Sequence, residues 1–356
     1  MPAPRSWDVF CRVIDYHGDL GVAWRLSADL ASRGEAVRLW VDDARALAWM
    51  APCGRAGVEV VGWTDPAPDL DPGAVVVETF GCDPPPRFVA RMAARRPAPT
   101  WIDLEYLSAE PYVERSHGLP SPVTLPGGAT LARRFFYPGF TPRTGGLLRE
   151  PGLLARQARL DPAAWLAAHG IAPGPGERLV SLFCYANPAL HALLERLSAR
   201  PTLLLATPDP AADQVCATLG PGLRLGALRV HRLPWLTQTG YDDLLRACDL
   251  NFVRGEDSFV RAQWAGQPFV WQAYAQRGDA HQAKLLAFLD RFLDGADPAL
   301  AQSLRASMLG WNGFAPLPGD LPPHGPWQAH CEAWRDALAT QPDLTTQLLG
   351  FVAKMR

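Results

Sequence analysis

Short apolar runs alternate with helical stretches along this chain, and they do so in two separate series. The first series predicts strands over 7–14, 37–41, 58–61, 74–80 and 100–104. The second predicts strands over 179–183, 202–206, 228–233, 250–253 and 268–271. Strands that alternate with helices build a parallel α/β layer. Val22, Leu26 and Leu30 share one face of a helix over 22–32, with Gly34 at its C-cap. The stretch 64–73, rich in Pro and Asp, reads as a loop, and 151–176 as the region between two domains. From His281 onward the tail reads as mainly helical. Two doubly wound domains facing each other would hold a ligand in a cleft, at the carboxyl ends of the strands. That layout is shared by many proteins and names no reaction.

The totals exclude several classes. At 356 residues the chain exceeds one typical core. It is 48% hydrophobic and 20% charged, with a formal net charge of -2. No long basic run occurs, which argues against broad binding to nucleic acid or anionic membrane. No apolar run reaches the roughly 18 residues that span a bilayer, and no basic-then-apolar leader opens the chain. The seven cysteines are scattered, without a C-x-x-C pair. Such a set fits the reduced cytoplasm better than a disulfide framework or a zinc site. The histidines show no metal-ligand spacing. Phosphate-loop, dinucleotide and nucleophile-elbow glycine patterns are absent, so ATPase, nicotinamide and serine hydrolase readings lose support.

Five segments carry candidate chemistry. The turn after the first strand holds Asp15, Tyr16, His17, Gly18, Asp19 and Gly21. Asp19 is either the N-cap of the next helix or a general base, with glycines that let a substrate approach and Asp15 as partner. The second segment, 254–266, joins a buried strand to a helix in which Phe259 and Gln263 lie one turn apart. Either Asp257 or Ser258 caps the helix while Glu256 is solvated, or Arg254, Glu256, Asp257 and Ser258 handle a ligand carrying both phosphate and hydroxyl groups. A nucleotide sugar has both. In the third segment, Phe183 and Tyr185 at a strand exit stack on a base or pack under a loop. In the fourth, Gln238 and Tyr241 read and cover a pyrimidine ring, or belong to a surface loop. In the fifth, the acids of 103–110, with His117 nearby, face a basic acceptor or cap helices.

Together these segments resemble the bacterial protein-arginine rhamnosyltransferases that modify elongation factor P. The resemblance rests on Asp15, Gly18, Asp19, Gly21, Val22, Trp24, Arg25 and Leu26, then on Val37-Arg38-Leu39-Trp40-Val41-Asp42-Asp43 and Asp103-Leu104-Glu105-Tyr106-Leu107-Ser108-Ala109-Glu110. It continues through Phe135-Phe136-Tyr137-Pro138-Gly139-Phe140-Thr141, Thr144-Gly145-Gly146-Leu147-Leu148 and Ser181-Leu182-Phe183-Cys184-Tyr185, and is strongest over 251–271. It implies a GT-B architecture of two Rossmann-like domains: 1–152 on the acceptor side, 153–338 for the nucleotide sugar, and a helix over 339–356 returning to the first. It implies dTDP-β-L-rhamnose as donor, elongation factor P as protein acceptor, inversion at the anomeric carbon, and neither cofactor nor metal. The biological role implied is support for translation of polyproline stretches. Asp19 would be the base, with Asp15 its neighbour and Glu256 essential to turnover. Gly18, Phe183, Tyr185, Gln238, Tyr241, Arg254, Asp257 and Ser258 would bind the donor. Ala186 departs from the family, which commonly carries an acid after the tyrosine. His17 departs as well, where an Asn followed by Phe or Tyr is usual. Rival expectations are a nucleotide-sugar epimerase of the same fold and a non-catalytic nucleotide-binding adaptor.

Overall fold

A computed structural model describes residues 5–15, 17–63, 67–126, 128–208, 210–275 and 280–355. The chain divides into two compact units, Met1–Glu150 with Ala339–Arg356, and Pro151–Leu338. Unit 1 runs β1 (Ser6–Cys11), α1 (Gly18–Ser32), β2 (Ala36–Val41), α2 (Leu47–Met50), β3 (Val58–Gly62), β4 (Val75–Thr79), α3 (Pro86–Ala94), β5 (Thr100–Leu104), α4 (Pro111–Ser116), β6 (Pro120–Thr124) and β7 (Thr130–Phe136). Its sheet has the order β3-β2-β1-β4-β5-β7-β6, parallel except for β6 against β7.

Unit 2 begins with α5 (Leu153–Arg159) and α6 (Pro162–Ala168), followed by β8 (Arg178–Leu182), α7 (Leu190–Leu197), β9 (Thr202–Ala206), α8 (Pro210–Leu219), β10 (Arg224–Leu225) and β11 (Leu228–Arg232). It continues with α9 (Gln238–Ala247), β12 (Leu250–Arg254), α10 (Asp257–Ala265), β13 (Phe269–Gln272), α11 (Ala280–Phe292), α12 (Pro298–Trp311) and α13 (His324–Ala339). The sheet order is β10-β11-β9-β8-β12-β13, parallel except for the short β10. The Pro- and Gly-bearing stretch expected between domains therefore holds two helices, and Trp165, Leu166 and Ile171 pack into the core of unit 2. Asp161 caps α6, accepting from Ala163 N and Ala164 N, and Pro162 opens the helix.

Most expected strands appear within a residue or two of their predicted ends. The first is shorter than read, and the cause is local. Beyond Cys11, Val13 N donates to Asp42 Oδ1 at 2.9 Å, and Ile14 N and Asp15 N donate to Asp19 Oδ2 at 2.9 and 2.8 Å. Carboxylates take the N–H groups that a neighbouring strand would otherwise accept, so the ladder stops. The helix over 22–32 starts earlier, at Gly18, and Gly34 follows it at φ 92° as the glycine reading requires. Strands β6 and β7 were not expected. Pro120 and Pro122 disguise β6, which lies at the sheet edge where missing N–H groups cost little. Two arginines break the apolar run of β7. Of the 64–73 loop, 64–66 lie outside the described residues, as does Tyr16; residues 67–73 form neither strand nor helix.

Apolar side chains cover both faces of the unit 1 sheet. One face packs Val9, Leu39, Val77 and Ile102 against α1, and the other packs Phe10, Trp40, Val76 and Trp101 near α3. The first of these cores is completed by α14 (Leu344–Ala353), whose Leu344, Leu348 and Val352 are buried in it. Asp343 caps α14 through Thr346 N and pairs with Arg33 beyond α1 at 2.7 Å. Leu348 is fully buried, so Leu348→Ala removes apolar contacts and leaves a cavity. Calorimetry is expected to show a loss of about 2–5 kcal/mol; a change within about 0.5 kcal/mol, the range of surface substitutions, would mean that α14 adds nothing to this core.

Candidate functional site

Each unit gathers candidate residues beyond the carboxyl ends of its own parallel strands. In unit 1, Asp19 is the second residue of α1 and is 3% exposed. It is not the N-cap: His17 holds that position and makes no side-chain cap. The carboxylate instead turns back on the preceding loop, where one oxygen collects the N–H groups of Ile14 and Asp15. Burial pushes its pKa above the ordinary aspartate range. Those two N–H groups and the Tyr106 side chain pull it back, and the Asp42 charge raises it further.

Asp15 is half-buried in the same turn, and its carbonyl accepts from Gly18 N at 2.7 Å. A Cβ at Gly18 would lie 2.9 Å from Asp15 Oδ2, so glycine leaves that carboxylate its place. Beside the turn a groove of about 450 Å³ is lined by Ile14, His17, Leu20, Asp43, Arg45 and Trp49, among others.

The acids of 103–110 separate in role. Asp103 is buried 3.6 Å from Arg133, which also pairs with the fully buried Glu78. Burial pushes Asp103 up to about 6 and Glu78 up to about 8, with Arg133 opposing both shifts. Glu110 stands at the N-cap position of α4, but its side chain accepts from Ser108 Oγ at 2.9 Å rather than capping. His117 accepts Tyr137 N on Nδ1 at 3.1 Å, and burial lowers its pKa. These bonds account for the structural roles of Asp103, Glu110 and His117.

In unit 2, β12 carries Arg254 as its last residue, one position beyond the predicted strand. Gly255 then turns the chain at φ 62°, a left-handed conformation suited to glycine, and α10 begins at Asp257. The capping reading fails for both Asp257 and Ser258, since Glu256 is the N-cap residue and makes no side-chain cap. The Ser258 hydroxyl donates to the Arg254 carbonyl and accepts from Arg254 N at 3.1 Å. Its proton is thus directed into the turn, which it locks, rather than outward as a free donor.

Arg254 is 3% exposed, and its guanidinium carbon lies 4.3 Å from the Phe183 ring centroid and 4.4 Å from that of Tyr185. Two ring faces hold the cation without neutralising it. Tyr185 N donates to Gln272 Oε1 at 2.9 Å, which ties this strand exit to β13. Tyr241 meets Phe183 edge-on at 5.7 Å, and burial raises its phenol pKa, with Ser258 opposing. The fourth segment is therefore no plain surface loop: Thr237 caps α9, Gln238 opens it and is buried, and Tyr241 lies one turn on.

The structure brings Phe183, Tyr185, Tyr241, Arg254 and Ser258 into one cluster in unit 2, and Asp15, Gly18 and Asp19 into another in unit 1. Asp257 opens α10 half-exposed. Lys284 Nζ stands 3.9 Å from Glu256 Oε2, a partner invisible in sequence because it comes from α11. Also unforeseen is the buried Asp242 beneath this cluster, bonded twice by Arg261 at 2.8 Å and by Arg156 at 3.1 Å. These pairs brace α5, α9 and α10 together. Among the described residues, no group of three His, Cys, Asp or Glu gathers as metal ligands, and no helix is long and apolar enough to cross a membrane.

The comparisons with known proteins decide the family. The family model described as Elongation-Factor P (EF-P) rhamnosyltransferase EarP matches residues 7–353. The chain belongs to the EarP family. A protein-arginine rhamnosyltransferase of Pseudomonas aeruginosa is 42% identical, with 98% of this chain and 99% of that protein covered. One of Shewanella oneidensis is 34% identical, with 98% of each covered. A solved structure described as the structural basis for EarP-mediated arginine glycosylation of translation elongation factor EF-P aligns at TM-score 0.69 and 32% identity, covering 98% of this chain and 99% of that one. A UDP-glucosyltransferase from Polygonum tinctorium, 11% identical at TM-score 0.57 over 99% of each chain, shares the fold alone. The fold is GT-B, as expected, and the chain is an enzyme of the glycosyltransferase class.

Gly18→Ala tests the geometry around Asp15. The added methyl displaces only the end of a flexible side chain, so the melting temperature is expected to hold. If the carboxylate belongs to the site, turnover is expected to fall by up to roughly 100-fold, the cost of about 1 Å of misplacement near the chemistry. Turnover close to that of the unmodified enzyme would show that the position of Asp15 is unimportant.

Proposed function

We propose that this enzyme moves L-rhamnose from dTDP-β-L-rhamnose to one arginine side chain of elongation factor P, inverting the anomeric carbon without a metal. One observation carries the reading: the family match runs through both residue clusters, so the proposed base and the proposed donor pocket belong to the same matched chain. The acceptor follows the EarP structure, which concerns arginine glycosylation of EF-P. All seven cysteines are free thiols, in keeping with a reaction in the cytoplasm.

A guanidinium is a poor nucleophile, with delocalised lone pairs and a pKa above about 12. An aspartate sits roughly 9 units lower, so it cannot strip a free arginine in water. It can grip the guanidinium, align one nitrogen, and take the proton late, once the C–N bond has acidified it. Asp19 suits this role because its backbone bonds fix one oxygen and burial makes it more basic than an exposed aspartate. Asp15 shares the cation.

At the other end of the sugar the diphosphate leaves with growing negative charge. Arg254 and the N-terminus of α10 stabilise that charge, the role a metal fills in other transferases. The Phe183 and Tyr185 rings packed on Arg254 support the assignment, since they hold a buried cation at the strand exit that opens onto α10. Phe183, Tyr185, Gln238 and Tyr241 surround the thymidine, and Ser258 keeps the turn in shape. Glu256 and Asp257 meet hydroxyls of the donor, because carboxylates would repel phosphate.

Mass spectrometry of elongation factor P incubated with the enzyme and dTDP-rhamnose is expected to show one deoxyhexose on one arginine, with EDTA present or absent. Product from the donor alone would favour an epimerase, and nucleotide binding without product an adaptor. Asp19→Asn is expected to lose transfer while calorimetry still finds dTDP bound. Arg254→Ala is expected to weaken dTDP by roughly 10- to 100-fold, the worth of a hydrogen bond to a charged group. Loss of dTDP affinity in the Asp19 variant, or its retention in the Arg254 variant, reverses the assignment.

The pH dependence has a definite sign. Asp19 works ionised, so kcat/KM falls as pH drops through its pKa. Because burial raises that pKa, the acid limb is expected above the ordinary aspartate range. A flat profile from pH 7 down to about 4, the reference aspartate value, would remove Asp19 as the base.

A further inference from the structure

Beyond β4, the chain carries an aromatic residue in a backbone conformation that aromatics avoid. Phe80 has φ 60°, followed by Gly81 at φ 62° and, two residues on, Asp83 at φ 48°. A bulky side chain in the left-handed region is strained, and it persists where its surroundings over-determine it. Here they do. Phe80 N donates to Leu104 O at 2.7 Å, Thr79 Oγ1 donates to Phe10 O at 2.9 Å, and Cys82 N donates to Thr79 O at 3.2 Å. The turn is pinned to β1 on one side and β5 on the other.

The strained turn has a geometric result. It presents the Phe80 ring face to Tyr106, stacked at 4.2 Å between centroids and 11° between planes. Tyr106 lies just beyond β5, and its side chain makes a hydrogen bond to the Asp19 carboxylate. A hydroxyl lies in the plane of its ring, so a fixed ring plane fixes the direction of the O–H. An aliphatic residue at 80 would fill the same space without setting that plane.

We propose that Tyr106 is a positioning residue for Asp19, holding the carboxylate by its hydroxyl while the Phe80 ring holds Tyr106. The inference rests on the reading of Asp19 as the base. The backbone N–H groups of Ile14 and Asp15 converge on one Asp19 oxygen and anchor the carboxylate from the loop side. Tyr106 adds a side-chain hydrogen bond from just beyond β5, so the carboxylate has a side-chain holder besides the backbone N–H groups. Among the described residues, the other groups that act on Asp19 include the Cys11 thiol at the end of β1 and the Asp42 carboxylate beyond β2, with Asp15 in its own turn. None of these offers the charged oxygen a second strong side-chain donor: two are acids, and burial keeps the Cys11 thiol protonated as a weak donor at best. Tyr106 thus has a role that filling the core does not supply.

Tyr106→Phe keeps the ring stack and removes only the hydroxyl. It is expected to leave the melting temperature and dTDP affinity unchanged. At neutral pH kcat is expected to fall about tenfold, with KM for the donor unchanged. The acid limb of kcat/KM is expected to move to higher pH, since the ionised carboxylate loses a donor. Phe80→Leu, which fills space without stacking, is expected to move the limb in the same direction. An unmoved limb with unchanged kcat in Tyr106→Phe overturns the inference, and an unmoved limb in Phe80→Leu overturns the part given to the ring. Asp19→Asn keeps the two failures apart. An active Asp19→Asn removes the base reading itself, whereas an inactive Asp19→Asn beside an unaffected Tyr106→Phe removes only the role of Tyr106.

Discussion

A parallel strand cannot be followed by a tight turn into its neighbour. The chain must cross back over a sheet face first, so every carboxyl end emerges on the same edge. Both units obey this constraint, and their candidate residues follow from it. Asp15 and Asp19 come after β1, Tyr106 after β5, Phe183 and Tyr185 after β8, and Arg254 closes β12. Residues far apart in sequence meet within each unit because the wiring delivers them to one edge. The only antiparallel strands, among the described residues, are β6 and β10 at the sheet margins, where they end the sheets and disturb none of these exits.

Charges inside this protein are held in place by geometry rather than left to solvent. Asp242 accepts a two-bond grip from Arg261, and Asp8 lies 2.7 Å from Arg38. Both carboxylates are buried, so removing one partner strands a buried charge. Around Arg254 two ring faces pack against the guanidinium. Asp19 differs, with backbone N–H groups in place of a cationic side chain.

Much of the fold could be read from the chain because buried parallel strands are apolar on both faces. The runs at 202–206 and 100–104 coincide with β9 and β5. Where that signal is diluted it fails: β6 carries prolines, and β7 carries Arg133 and Arg134. The turn at 254–258 was legible as a strand-to-helix junction, because Gly255 and the apolar runs around it are local signals. Its internal bonding was not. Whether Ser258 caps a helix, meets a ligand or locks Arg254 depends on backbone angles that composition leaves open. Asp19 was likewise legible as either a cap or a base. The structure excludes the cap, because the carboxylate points away from the helix N–H groups it would have served. Tyr106 and Lys284 were missed for a common reason: each acts on a residue delivered by a different strand or helix, and no spacing rule encodes that meeting.

The last helix has a consequence for how the polypeptide matures. During synthesis the sheet of unit 1 leaves the ribosome first, yet Leu344, Leu348 and Val352 of its core are made after all of unit 2. At about 5–20 residues per second that interval is on the order of tens of seconds. Unit 2 holds all of its own elements by Leu338 and can close earlier. Unit 1 is therefore sealed after unit 2 has been made, and until then an apolar strip beside α1 lacks its covering helix.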